Sequence, residues 1–415
     1  MRNETHSAIL TIKYQLLTMN KLFLFALTGA MAAGMLTGCK DKSSDNSSGM
    51  SQTEKEQVLQ KAMTPYVQNT VIATYSRMAD EGITLLGQCE QILAKVEAGE
   101  DYSELMEQAG ASWRAMRKYW EQSEAFLYGP AASHNIDPHI DSWPLDFNAM
   151  NSLLNNAKQM ADIEAEGGDY VGNKLGYALK GFHAAEYLLF ESVMEDDRAI
   201  GTGRPHATNL SHAEAVYLVG IVEDLTQQAI LLEDCWAGGV SEEKEALITD
   251  EEGESASYGE NYGNFLIYTG HAGIYKTYQA AAEEVIAGCV DIAGEVANLK
   301  LGNPYLSNTP QQRDYIESPY SSTSTIDFVD NIISIRNAYQ GAQTEDASIS
   351  DFVKRMDADL DQRVKEAIAE AIEAIEAIEN FESTAQNNPQ VKNAIDKVRT
   401  VEKILDDSVM ALLAD

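Results

Sequence analysis

Apolar residues recur every three or four positions along most of the chain, which is the spacing of helices that bury one face. Such stripes run through 72–96, 105–127, 175–193 and 215–232. No segment shows a convincing alternation of apolar and polar residues, the pattern of a half-buried strand. Four long amphipathic helices are what one antiparallel bundle needs, so the first half of the chain predicts such a bundle.

The second half resumes helical spacing near Asn264, runs to Leu299, and then passes through a proline-bearing irregular stretch at 302–325. A further helix is expected near Thr325, with Ser324 or Thr325 as its N-cap, and more helices follow. The chain is therefore predicted to be all-α, with two four-helix-bundle-like domains packed against each other. Their predicted bounds are 55–238 and 263–415, joined by an acidic linker at 239–262.

The N-terminus has the pattern of a secretory signal. Residues 19–38 combine a positive start, an apolar run and a small-residue ending, and 1–18 read as an over-long start before the initiator Met19. The ending Leu36-Thr37-Gly38-Cys39 resembles the bacterial lipobox, which predicts lipid on Cys39; an ordinary signal or a lone membrane helix is the alternative. Polar residues 39–54 would form a tether, and Lys40 favours the outer membrane, facing either the periplasm or the surface.

Composition narrows the possible partners. The chain carries 65 acidic against 30 basic residues, a formal charge of −35, which repels nucleic acid and attracts cations. Four cysteines are present, and three remain if Cys39 carries lipid, so a fully paired disulfide framework is excluded. Cys89 lies on an apolar stripe and is predicted to be a buried free thiol. No zinc-type cysteine spacing occurs.

The most informative segment is Gly181-Phe182-His183-Ala184-Ala185-Glu186. His183 and Glu186 are three positions apart, so they share a helix face, and that face also carries Leu179 and Leu189. An imidazole with a carboxylate is a partial ligand set for iron, zinc or copper. The alternative is a satisfied His–Glu hydrogen bond in the core, and the spacing alone favours that alternative.

Two further features offer carboxylates to such a site. Glu124 lies four residues after Trp120, which places it on the buried stripe with no partner of its own helix. The loop 134–146 holds two histidines and three aspartates, of which Asp141 is the best ligand candidate, although aspartates beside prolines more often cap turns. The motifs His-Glu-x-x-His and Gly-x-Ser-x-Gly are absent from the sequence, as are the P-loop and the Rossmann fingerprint.

These residues together resemble the imelysin-like family. The Gly-x-His-x-x-Glu segment at 181–186 matches its signature, and other matching segments occur in the same order, at 113–130, 140–144 and 317–341. The resemblance implies two related helical bundles with a site between them, in iron-regulated envelope proteins of which some carry a metallopeptidase name. It implies a metal or active-site pair at His183 and Glu186, with Glu124 and Asp141 as further ligands, and an interface lined by Trp143, Ser321, Ser324 and Asp327. At Ser324 the family prefers threonine, a departure that keeps the hydroxyl.

Three functions follow as hypotheses. The first is a lipid-anchored protein that binds iron or another divalent metal, or a metal complex, for uptake and works with iron-uptake components. The second is a metallopeptidase that uses the same site, with Glu186 as its catalytic group; it is ranked lower because Glu186 cannot easily be both ligand and base. The third is an interaction module in which His183 and Glu186 only pack.

Overall fold

Helices account for most of the chain in the structure, a computed structural model. It describes residues 50–195, 198–206, 209–250, 252–270, 273–309, 315–343 and 347–414. The predicted signal peptide, the lipidation of Cys39 and most of the tether lie outside these residues and stay predictions. The prediction of an essentially helical protein is confirmed.

The helices in chain order are α1 (Gln52–Pro65), α2 (Ala73–Ala98), α3 (Ser103–Glu121), α4 (Pro130–Ser133), α5 (Ile136–Ile140), α6 (Phe147–Leu154), α7 (Ala157–Lys174), α8 (Gly181–Leu189), α9 (His212–Ala237), α10 (Glu242–Leu247), α11 (Gly263–Ile267), α12 (Tyr278–Glu295), α13 (Gly302–Leu306), α14 (Ser324–Gln340), α15 (Ile349–Met356), α16 (Ala358–Glu376), α17 (Phe381–Thr384), α18 (Pro389–Ile404) and α19 (Ala411–Ala414). Short 3-10 turns occur at Glu124–Phe126 and Tyr177–Leu179, and π-helical turns at Tyr66–Ile72, Val296–Lys300 and Leu405–Met410.

Two sets of four long helices form the core. Helices α2, α3, α7 and α9 pack together in the first half, and α12, α14, α16 and α18 in the second. Helix α3 also packs against α14, and the described residues form one compact unit. The domain boundaries drawn from the sequence stay predictions.

Helix α9 is the central helix of the first set. By length and hydropathy it alone among the described helices could span a membrane, yet 78% of its apolar window is buried in the protein. A buried helix that is apolar on all sides is the expected core of a large bundle. Ser211 begins it with a capping box, in which Ser211 Oγ accepts from the Glu214 amide and Glu214 reaches back to Ser211.

A two-stranded antiparallel hairpin interrupts the helices, which corrects the sequence expectation. Strand β1 (Phe190–Glu195) pairs with β2 (Arg198–Pro205) directly after α8. The stripe at 175–193 was read as one helix, but it divides into a 3-10 turn, α8 and β1. The hairpin lies very close to the loop before α14: a Cβ on Gly201 would lie 2.1 Å from the Cα of Tyr320. Such a tertiary contact leaves no periodic signal in the sequence.

The acidic segment 239–262, the predicted linker, has structure of its own. It contains α10, and its end folds back on α9, where the Tyr262 amide donates to the Cys235 carbonyl over 2.8 Å. The single helix expected at 264–299 is likewise interrupted: α11 ends at Ile267, and α12 begins at Tyr278, capped by the Thr277 hydroxyl.

Candidate functional site

A group of charged side chains is buried where α3, α8 and α14 meet the loops at 134–146 and 315–323. Every member is at most 6% exposed. Charged side chains are mostly found at protein surfaces, so this burial is unusual. We call this group the buried charge cluster. Its members are Arg117, Glu121, Asp141, His183, Glu186, Lys300, Glu317 and Asp327.

Arg117 lies at the centre of the cluster. Its Nη2 lies 2.5 Å from Glu121 Oε1 and 2.6 Å from Glu317 Oε1, and its Nη1 contacts Asp141 Oδ1. Its Nε donates to Asp327 Oδ2 over 3.4 Å. Burial alone would lower the pKa of Arg117, but the surrounding carboxylates raise it well above its usual value. One guanidinium therefore binds acidic groups from α3, α14 and two loops.

Lys300 is the second fixed cation and comes from the π-helical turn that follows α12. Its Nζ lies 3.0 Å from Glu317 Oε1 and 3.3 Å from Glu121 Oε2. Its Nζ also lies 5.8 Å from the ring centroid of Trp143, within cation–π range. Lys300 thus links the second set of helices to the acidic groups that Arg117 holds.

His183 is positioned by the first turn of α8. Its Nδ1 lies 3.1 Å from Glu186 Oε2 and forms a hydrogen bond with it. Its Nε2 lies 3.1 Å from Asp141 Oδ1, but off the direction of a hydrogen bond. Burial opposes charge on the ring, yet the carboxylates of Asp141 and Glu186 outweigh burial and raise the pKa of His183 to about 9.

Glu186 is held at both oxygens. Oε1 accepts from the amides of Tyr320 and Ser321, over 2.9 and 2.8 Å, and from the Ser321 hydroxyl over 2.7 Å. Oε2 faces His183. Glu186 therefore fixes the orientation of the imidazole and connects α8 to the loop before α14, a role that matches the outer-shell carboxylates of metal-bound histidines.

Asp141 lies on the other side of the imidazole. Its Oδ2 accepts from Trp120 Nε1 over 2.7 Å. Burial acts to raise the pKa of Asp141, but Arg117 and then His183 outweigh it and lower the pKa below its usual range. The carboxylate is ionised at neutral pH and points its Oδ1 at the His183 ring.

Acidic groups outnumber cations in this region. Five carboxyl groups, those of Glu121, Asp141, Glu317, Asp327 and the nearby Glu124, contact the two fixed cations Arg117 and Lys300. Burial raises the pKa of Glu317 to about 7, against the opposing charges of Lys300 and Arg117, and raises those of Asp327 and Glu124 well above their usual values. Protons can offset the negative excess, and so can a bound cation.

Three donors converge in the cluster. Ligand atoms of Asp141, His183 and Glu317 lie within 4.8 Å of one another. Among the described residues, Glu317 Oε2 is buried with no hydrogen-bond partner, and the buried His183 Nε2 has only its 3.1 Å ion-pair contact with Asp141 Oδ1. A second group, Glu121, Glu124 and Asp141, meets the same distance. A buried ligand atom without a hydrogen-bond partner needs an explanation, and a bound metal ion is one such explanation.

The structure brings several predicted site residues into or beside the cluster. The Trp143 ring lies 5.9 Å from that of His183, Ser318 and Arg117 bind Asp327, and the Ser324 hydroxyl donates to the Glu317 carbonyl. Glu124 lies on a 3-10 turn rather than on α3, which ends at Glu121, and its Oε1 is 3.8 Å from Lys300 Nζ.

The rest of the 134–146 loop serves other contacts. His139 Nε2 bonds Asp224, and Asp146 caps α6 by accepting from the Ala149 amide over 2.9 Å. Asp141 alone among these aspartates and histidines enters the cluster. Asp141 therefore lies where the ligand interpretation of this loop requires, whereas Asp146 has the capping role that the alternative interpretation gives to the aspartates.

Sequence reasoning missed Arg117, Glu121, Lys300 and Glu317 as site residues. Arg117 gave a usable signal, because it lies four residues after Trp113 and three before Trp120 and therefore on the buried stripe of α3. Arg117 and Glu121 are also four residues apart, the ordinary spacing of an ion pair within one helix. Lys300 and Glu317 lie outside long regular helices, and no periodic pattern marks them.

The fold and this cluster define a class of protein: a helical, two-bundle protein built around a buried His-x-x-Glu turn with facing carboxylates. The chain belongs to the imelysin family, whose sequence profile matches residues 71–407. That family carries a peptidase name. The resemblance stated from the motifs is thereby confirmed.

Relatives agree with this assignment. The chain is 28% identical over 292 residues to "Iron-regulated protein A" of Synechococcus elongatus, covering 70% of this chain and 67% of that protein. An iron-regulated protein A precursor from Parabacteroides distasonis has the same fold, with a TM-score of 0.68, 24% identity and coverage of 86% of this chain and 95% of that one. An imelysin-like protein from Psychrobacter arcticum matches with a TM-score of 0.61, 11% identity and coverage of 86% and 96%.

Proposed function

We propose that this protein binds a divalent transition metal, iron foremost, in the buried charge cluster and serves metal uptake at the cell envelope. The observation that carries the proposal is the convergence of His183 Nε2, Glu317 and Asp141 in a buried region with excess negative charge. An imidazole with two carboxylates suits iron, zinc or manganese. The name of the Synechococcus relative, an iron-regulated protein, supports iron among these.

The residues present fit such an ion. His183 Nε2 and Glu317 Oε2 have no hydrogen-bond partner among the described residues, while Arg117 and Lys300 occupy the opposite oxygen, Glu317 Oε1. The two fixed cations therefore leave one face of the donor set available. A divalent ion would also offset the negative excess that protons otherwise offset.

In this proposal Glu186 is a positioning residue rather than a ligand. Its oxygens are engaged by His183 Nδ1 and by the 320–321 loop. The bond to Nδ1 fixes the ring so that Nε2 faces Asp141 and Glu317. The prediction that Glu186 itself ligates the metal stays a prediction, and Glu124 belongs to the alternative donor group with Glu121.

A metallopeptidase is the second candidate, supported by the family's peptidase name. It requires room for a peptide and a metal-bound water beside a general base. A cavity lined by exposed Lys118 and Ile326 and by buried Arg117 and Asp327 has a volume of about 70 Å³, enough for a few water molecules. A cavity of that size does not admit a peptide, and none of the donors His183, Asp141 and Glu317 lines it, so metal binding ranks first.

We expect direct metal binding by the purified full-length protein in detergent. Titration with Fe(II) or Mn(II) followed by calorimetry should show a tight binding site whose affinity His183→Ala weakens by at least about tenfold. His206→Gln is the matched control, since His206 belongs to none of the described donor groups. Equal metal content in the parent and in His183→Ala would overturn the proposal.

The same titration should depend on pH in a defined direction. Glu317 must lose its proton near pH 7 and His183 near pH 9 before either can ligate. Affinity should therefore rise as the pH increases from about 6 to about 9. An affinity that falls over this range would place the metal elsewhere.

The envelope location is proposed from the predicted lipidation of Cys39. A lipid anchor would hold the helical body near a membrane at the end of the tether and bring the site close to uptake components. In fractionated cells, Cys39→Ser should move the protein from the membrane to the soluble fraction. An unchanged membrane fraction in that variant would count against the anchor.

A further inference from the structure

A second donor set lies away from the buried charge cluster. It consists of His134 at the end of α4, Cys235 near the end of α9, and Glu260 in the segment that folds back on α9. Their ligand atoms lie within 4.8 Å of one another. His134 Nε2 lies 3.3 Å from Glu260 Oε1, and it is buried with no hydrogen-bond partner among the described residues.

Each donor is held by its own element. The His134 ring stacks on Tyr258, with centroids 3.5 Å apart and planes 10° from parallel. Cys235 is a buried, free cysteine within the regular part of α9. The two residues after Glu260 anchor its segment to the end of α9, because the Tyr262 amide donates to the Cys235 carbonyl and Asn261 Nδ2 donates to the Ala237 carbonyl over 2.9 Å.

These contacts create a preformed site. A donor set fixed by packing loses little entropy when it takes up an ion. The Glu260 side chain is 38% exposed and that of His134 18%, so two of the three donors are accessible to an ion from solvent. The three ligand atoms already lie within 4.8 Å of one another, and a tetrahedral ion held by three protein donors has a fourth position for water.

We propose that His134, Cys235 and Glu260 form a second metal site, for a borderline divalent ion of the Zn(II) or Co(II) class. A thiolate, an imidazole and a carboxylate are the donors that such ions prefer, whereas Mg(II) and Ca(II) prefer oxygen alone. On binding, the Cys235 thiol gives its proton to solvent and the sulfur bonds the metal. The bound ion joins the acidic segment to the end of α9 and to the loop after α4.

Co(II) is the probe that separates this site from the first one. Thiolate bound to Co(II) gives a charge-transfer absorption in the near ultraviolet, and the buried charge cluster contains no cysteine. We expect full-length protein titrated with Co(II) under reducing conditions to show this band for one equivalent, and Zn(II) to remove it. His183→Ala should keep the band, so failure of the first site and failure of this one are distinguishable.

Cys235→Ser should abolish the band, and the matched control Cys289→Ser should keep it, because Cys289 is also a buried free cysteine but belongs to no donor group among the described residues. Glu260→Gln, at a partly exposed position, should weaken Co(II) binding by at least about tenfold without removing a core side chain. Absence of the band at saturating Co(II), its persistence in Cys235→Ser, or unchanged affinity in Glu260→Gln overturns the proposal.

Discussion

Replacing Arg117 with methionine should destabilise the protein by about 3–5 kcal/mol, the usual effect of removing one partner from a buried ion pair. Methionine fills much of the same volume, so the loss is electrostatic. Glu121, Asp141, Glu317 and Asp327 would remain buried without their shared guanidinium. The measurement is the urea dependence of unfolding, read as a lower midpoint at an unchanged slope.

Arg77→Met is the control for this substitution. Arg77 is exposed on α2 and makes no ion pair among the described residues, so its replacement should change stability by less than about 0.5 kcal/mol. Adding Asp327→Asn to Arg117→Met removes one of the stranded charges and should recover part of the loss. If Arg117→Met unfolds at the same urea concentration as the parent, the cluster does not depend on its central cation.

The helical framework was predictable because it rests on local periodicity. The stripe at 105–127 identified α3 with Trp113 and Trp120 on its buried face, and both rings are fully buried. The buried free thiol at Cys89 was likewise predictable from its stripe, and the structure confirms it. The β-hairpin was not, because its strands carry no alternating pattern and its Gly201 packs against Tyr320, more than a hundred positions away.

The candidate site was predictable only where its residues share one helix. His183 and Glu186 are neighbours on α8, and the spacing also gave their mutual hydrogen bond as an alternative, which is present. Two side chains that the second half of the chain adds to the cluster, Lys300 and Glu317, lie outside regular α-helices. Lys300 ends a π-helical turn and Glu317 lies in a loop, so their meeting beside Arg117 and Glu121 depends on how the two sets of helices pack.

Gly181→Ala should also have a large effect, about 3 kcal/mol or more of lost stability. Gly181 has φ +75°, a conformation that costs an alanine roughly 1–2 kcal/mol. A Cβ there would lie 2.1 Å from the Ile140 carbonyl oxygen, so the backbone itself must shift. Urea unfolding measures the loss.

Gly181→Ala should also affect metal binding, because Gly181 and Ile140 are close in sequence to the proposed ligands His183 and Asp141. Ile140 precedes Asp141, and Gly181 is two residues before His183, so the contact that requires glycine also sets the distance between His183 Nε2 and Asp141. Gly181→Ala should therefore weaken metal binding by at least about tenfold even in the folded fraction. Gly176→Ala is the matched control five residues earlier, since Gly176 has φ −70° and nothing within 4 Å of an added Cβ. Parent-like stability and metal affinity in Gly181→Ala would show that this close approach does not hold the imidazole in place.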